Sequence, residues 1–174
     1  MVREIIQVKY GPAMLVPPIL KKHTADVLDF GATFKELVQD LKDTLFAHRI
    51  AIGFAAPQLG ESRRVAVVNI SEAKSGPTLV IANPRQLLMT GKKDHKKESC
   101  MSIPDWRGDV ERRSNLSFVY DDENGQTREM RASGFLARVL CHEIDHLDGV
   151  LYLDRMSKPA KLEQVGFFSE ERHK

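Results

Sequence analysis

Residues 142 to 149 read HEIDHLDG, and the apolar spacing that leads into them places a helix there before anything else in the chain can be assigned. Phe135, Leu136, Val139 and Leu140 recur at helical period, Ser133 stands where an N-cap would sit, and Gly149 is a natural left-handed stop. On such a helix His142 and His146 lie one turn apart on one face, with Cβ atoms about 5–6 Å from each other. Two imidazoles at that spacing can grip one ion, because metal–nitrogen bonds are about 2.0–2.1 Å. Glu143, next to the first histidine and three before the second, sits beside the ion without having to ligate it, as a general base acting on metal-bound water must. The motif points to metal-assisted hydrolysis.

A helix of this kind needs a sheet to pack on, and the chain supplies strands. Residues 64 to 70, 78 to 82, 115 to 120 and 126 to 131 read as strands, the last two forming a hairpin around DDENG. Before them, Phe34, Leu37, Val38, Leu41 and Leu45 give a helical stripe from Thr33 to His48, with Thr33 and Glu36 as a capping box. Between that helix and the strands lies AIGFAAPQLG, residues 51 to 60, a small-residue segment that lets backbone approach a ligand. Strands clustered between helices predict an α+β fold: mostly antiparallel strands packed around a central HExxH helix, in a single domain spanning 1 to 174. The proline-rich stretch to Asp29 is expected to wrap the surface. The tail from Lys158 is expected to be a short helix or a solvated face.

Composition narrows the classes of function. A chain of 174 residues, 42% hydrophobic and 29% charged, can bury a sizeable core. Its net charge of +2, with basic and acidic residues interleaved, argues against direct nucleic-acid binding. The sequence MVREIIQVKY has no apolar signal core and no stretch is long enough for a membrane span, so a soluble, unexported protein is expected. Two cysteines are too few for a disulfide framework. Cys141 should lie on the back of the motif helix, since consecutive helical residues point about 100° apart. Cys100 is freer to serve.

A catalytic site of the zinc type needs three protein ligands and an open position, so a third donor must come from outside the helix. Cys100, in the turn-like stretch HKKESCMSIPDW, is the first candidate, with His95 competing and Glu98 a weaker one. AIGFAAPQ at 51 to 58, ESCMS at 98 to 102 and HEIDHLDG at 142 to 149 together resemble the three signature motifs of the peptide deformylases, and the stretches around them suit that family over most of the chain. The resemblance implies that Cys100, His142 and His146 hold one divalent metal, with Fe(II) expected and Zn(II), Ni(II) or Co(II) as replacements, and that Glu143 is the acid–base residue. It implies that Gln58, through its amide, and Met101, through its backbone N–H, face the developing oxyanion. The implied substrate is the N-formylmethionyl end of nascent peptides. Metal-bound water would be the nucleophile and formate the product, with transient ribosome association and a location in the bacterial cytoplasm or an organellar matrix.

Phe135 and Val139 extend the metal face of the helix and, with Ile52 and Gly53 of the first motif, form a candidate substrate-binding pocket for a methionine side chain; core packing alone is the other reading of such apolar residues. Ala51, Ser99, Met101 and Cys141 depart from the usual residues of the family motifs. None of these departures removes a ligand, the base or the amide donor. Arg107 reads as a structural ion pair or part of the substrate mouth, Trp106 as a substrate-facing aromatic or a cover, and Asp145 as a partner of a ligating imidazole or a solvated carboxylate. Two rivals remain at this point: an HExxH zinc peptidase, for which no third ligand is recognisable downstream, and an inactive metal-binding relative, whose closed site would need a fourth ligand such as His95.

Overall fold

The structure is a computed structural model that describes residues 1–10, 14–70, 77–157 and 161–166. Its elements run α1 (Ala32–Ala47), β1 (Gly53–Ala55), β2 (Val65–Asn69), β3 (Thr78–Cys100), β4 (Ile103–Asp121), β5 (Thr127–Ser133), α2 (Gly134–Leu147), a single turn α3 (Tyr152–Arg155) and β6 (Glu163–Gln164). The strands form one antiparallel sheet in the order β1-β2-β3-β4-β5, with β6 added against the other end of β4.

The two helices cover opposite faces of the sheet, and β2 shows why. Successive residues of a strand point to opposite faces. Val65 and Val67 join Phe34, Leu37, Leu41 and Leu45 of α1, whereas Val68 joins Leu140 and Ile144 of α2 and Ala66 meets Leu147. A strand buried on both sides loses the polar–apolar alternation and becomes the near-continuous apolar run VAVV.

Residues 78–82 are only the first part of β3, which continues to Cys100, and what reads as a turn-like stretch before that cysteine is a strand. Its charged residues hid it: Lys93, His95 and Lys97 pair across the ladder with Arg113, Glu111 and Asp109 of β4, so backbone hydrogen bonds rather than apolar burial hold this part. The ladder slips between Ala82 and Arg85 and again between Thr90 and Lys93, where Gly91 adopts φ +81°. The hairpin around DDENG forms as expected.

The caps differ from expectation. Helix α1 is entered through Gly31, which leaves Thr33 inside the first turn, so Thr33 and Glu36 form no capping box. Ser133 occupies the N-cap position of α2 but makes no side-chain cap bond. Gly149 ends α2 at φ +70°, as expected. The amino-terminal stretch wraps the sheet but also contributes to the core: Val8 and Leu20 are buried against Ile103, Val110 and Tyr152. In the tail, residues 158–160 and 167–174 lie outside the described residues, and the described part carries β6 rather than a helix.

Candidate active site

Three segments meet at one end of the sheet. Helix α2 brings His142, Glu143 and His146; β3 delivers Cys100 at its last residue; the 3₁₀ turn after β1 brings Gln58. The ligating atoms of Cys100, His142 and His146 all lie within 4.8 Å of one another. The two imidazole centroids are 5.0 Å apart at 78°, and Cys100 Sγ is 3.2 Å from His146 Nε2. One thiolate and two imidazoles form a donor set that suits zinc, iron(II), nickel or cobalt, and three donors leave a coordination position for a small molecule. His95, the competing donor, is more than half exposed near Glu111 and Ser157 and outside this group.

The histidines are anchored differently. His142 Nδ1 is 3.0 Å from Glu98 Oε2. Arg112 grips the same carboxylate with two hydrogen bonds, of 2.6 and 2.9 Å, and reaches Asp145 at 2.9 Å with its third nitrogen. Burial alone would raise the Glu98 carboxyl, but hydrogen bonds from His142 and Arg112 bring it down to about 2. Asp145 touches neither imidazole and is not solvated; it is buried between Arg112 and Arg155. Glu98, the weaker candidate as a ligand, is the residue that holds His142. Strand period places residues 98 and 100 on one face, a signal that was legible once the segment is known to be a strand.

Glu143 lies opposite the first motif. Its carboxylate is buried, Oε2 has no hydrogen-bond partner among the described residues, and burial pushes its pKa up to about 7. Gly53 makes room for it: a Cβ on Gly53 would fall 2.5 Å from Glu143 Oε1. Gln58 is equally fixed. Its Oε1 accepts the Ala55 N–H at 2.9 Å, which turns Nε2 toward Cys100 Sγ at 3.5 Å and Ser102 Oγ at 3.3 Å. The Gln58 carbonyl accepts Ile6 N–H and the Ser102 carbonyl accepts Val8 N–H, both at 2.8 Å, while Gln7 donates to the Met101 carbonyl. The amino-terminal strap therefore stitches the first two motifs together. Ser102 closes the ESCMS motif, but its contact with Gln58 and the strap's stitching of the two motifs are not legible in the sequence.

A cleft of about 290 Å³ opens over these groups. Glu143, His142, Cys100, Gln58 and Met101 line it, as do Ile52, Gly53, Phe135 and Val139; His146 is buried behind them. Phe135 is 60% exposed, which sets it at the rim rather than in the core. Ser99 lines the cleft without positive φ, so its Cβ imposes no strain beside Cys100. Cys141 is buried away from the cleft, near Met89, and burial pushes its thiol up to about 11. Arg107 pairs with Glu163, and Trp106 packs on Tyr10 outside the cleft.

Comparison with known proteins identifies the family. The polypeptide deformylase family model matches residues 10–162. Peptide deformylase 1 of Vibrio vulnificus is 36% identical over 156 residues, covering 90% of each chain. Among solved structures, a peptide deformylase from Legionella pneumophila superposes with a TM-score of 0.80 at 29% identity, covering 100% of this chain and 93% of that one. A class I type b peptide deformylase from Acinetobacter baumannii with Met-Ala-Ser bound gives 0.78 at 30% identity, covering 90% and 99%. A single domain with an antiparallel sheet and few helices is common to this chain and those structures. The chain belongs to the polypeptide deformylase family.

Proposed function

We propose that this chain removes the formyl group from the N-formylmethionyl end of nascent polypeptides and releases formate. One observation carries the reading: a buried carboxylate, a side-chain amide and two members of a Cys/His/His donor set, Cys100 and His142, border a single cleft with apolar walls, with His146 directly behind them. Cys100, His142 and His146 would hold one divalent ion, with Fe(II) expected and Zn(II), Ni(II) or Co(II) able to replace it. Such an ion supplies Lewis acidity and lowers the pKa of water.

The remaining work falls to the chain's own groups. Water is the nucleophile, and Glu143 takes its proton as it adds to the formyl carbon. A carboxyl pushed up to about 7 by burial accepts a proton readily near neutral pH and gives it back to the departing amine. Gln58 Nε2 and the Met101 backbone N–H face the oxygen that gains negative charge, and the Ala55 bond prevents the Gln58 amide from flipping its carbonyl toward that oxygen. Ile52, Gly53, Phe135 and Val139 receive the methionine side chain. Residues 1 to 174 form one deformylase-like domain built around α2, acting in the cytoplasm or an organellar matrix with transient ribosome contact. Among the described residues no helix is long and apolar enough to cross a membrane.

Formate release from formyl-Met-Ala-Ser by anaerobically purified, iron-loaded protein tests the reading. Wild type is expected to turn over and Glu143→Ala to lose nearly all activity. Metal-loaded wild type that releases no formate would overturn it.

A further inference from the structure

Arg138, His142 and His146 follow one another at four-residue spacing along one face of α2, and Asp94, Glu98 and Cys100 fall on one face of β3. The two rows meet rung by rung. Arg138 Nη1 donates to Glu98 Oε1 at 2.8 Å, His142 Nδ1 is 3.0 Å from the other oxygen of the same carboxylate, and His146 Nε2 is 3.2 Å from Cys100 Sγ. Arg138 also reaches one rung further. Its Nη2 donates to the Asp94 carbonyl at 3.1 Å and to the Asp94 carboxylate, while Nη1 donates to the Val110 carbonyl of β4 at 3.0 Å. The residue is buried, and its contacts to Glu98 and Asp94 tie the helix to two points of the strand.

Hydrophobic packing does not hold these two rows together. Leu140 and Ile144 seat α2 on Val68, Leu116 and Phe118, but residues 90 to 99 of β3 read TGKKDHKKES and bring no apolar side chain to that cluster. Polar ties therefore set the register of this part of the strand against the helix. Two guanidiniums supply them: Arg112 clamps Glu98 to Asp145 from β4, and Arg138 spans Asp94 and Glu98 from the helix itself. Buried ion pairs are weak evidence for stability, because desolvation offsets much of their attraction. What this one can fix is a position. A carboxylate that accepts from one ring nitrogen orients the imidazole and leaves the other nitrogen to face an ion. His146 lacks such an anchor, since its Nδ1 has no hydrogen-bond partner among the described residues. We propose that Arg138 is a positioning residue for metal retention that acts through Glu98. It holds the strand row against the helix row, so that Cys100 and both imidazoles stay within reach of one ion. This inference rests on the metal-dependent deformylase reading.

The test follows loss of Co(II) from Co(II)-loaded protein to excess chelator, read by the visible absorption of the Co(II)–thiolate site. Arg138→Met keeps the bulk and removes the donors; it is expected to release Co(II) about tenfold faster than wild type, as when a group that holds a metal ligand is lost. Arg138→Lys keeps a cation, but a compact ammonium cannot span Glu98 and Asp94 as the planar fork does, and its rate is expected to fall between the two. Leu140→Ala weakens the packing on the opposite face of α2 and so measures purely structural loosening. It is expected to release Co(II) close to the wild-type rate. Release from Arg138→Met no faster than from wild type overturns the proposal, as does release from Leu140→Ala as fast as from Arg138→Met. If Arg138→Met does not fold, Arg138→Lys carries the comparison, and a wild-type rate in it overturns the proposal. Retention needs no substrate. Faster release in the variants with no formate from wild type overturns the deformylase reading alone, formate production with retention indifferent to Arg138 overturns this proposal alone, and wild type that takes up no Co(II) overturns both.

Discussion

At the scale of single residues the site is built from missing atoms as much as from present ones. Gly53 sits where any Cβ would meet the Glu143 side chain, with Oε1, Cδ and Cγ within 2.7 Å. The Gly53→Ala substitution is therefore expected to displace the base while leaving the fold intact. A misplacement of about 1 Å costs roughly a hundredfold in rate, and steady-state formate release with unchanged circular dichroism would show it. Gln58→Leu keeps the volume and removes the amide; kcat is expected to fall by about 10²–10³, the worth of one oxyanion donor, with KM much less affected. His142, Glu143 and His146 were legible because helical period alone fixes their geometry. Glu98 was not, since its place beside His142 depends on a strand that its charged neighbours disguise.

At the scale of elements, α2 does two jobs with one face each. One side carries the histidines and Glu143, and the other sends Leu140 and Ile144 into the sheet. Leu140 is fully buried, so Leu140→Ala is expected to cost about 2–5 kcal/mol in urea unfolding. The end of the helix is equally determined. Gly149 has φ +70°, and a Cβ there would lie 2.6 Å from the Lys21 carbonyl carbon and oxygen. Gly149→Ala is expected to destabilise by about 1–3 kcal/mol from strain, read as a lowered unfolding midpoint. The helix, its stop and the core strand VAVV were readable because apolar period and a turn glycine are local signals. The second half of β3 was not, because cross-strand pairing between distant charged residues leaves no apolar pattern, and the capping box failed because Gly31 had already taken the entry.

At the scale of the whole molecule, polar ties bind the amino-terminal strap to the sheet. Asn83 exchanges two hydrogen bonds with the backbone of Val27 and donates a third to Asp121, which also receives Arg85 and Thr127. Burial alone would raise the Asp121 carboxyl, but those hydrogen bonds and the Arg85 charge hold it below its ordinary value. A carboxyl lowered on folding contributes its full stability above the ordinary aspartate range and loses it as pH falls through the folded value. Stability in urea is thus expected to drop as pH is lowered below about 4, less steeply in Asp121→Asn than in wild type; parallel profiles would contradict this. Such ties join segments far apart in sequence, which is why the strap read only as surface wrapping. The pairing of Glu98 with His142 carries a different lesson, one for protein engineering. Strand β3 supplies both Cys100 and, two residues earlier, the carboxylate that holds an imidazole of α2, while Arg112 and Arg138 close the same contact from β4 and α2. These segments form one transplantable block: a chimera that imports the strand from a relative without its matching helix face inherits a cysteine in place and a histidine without its anchor.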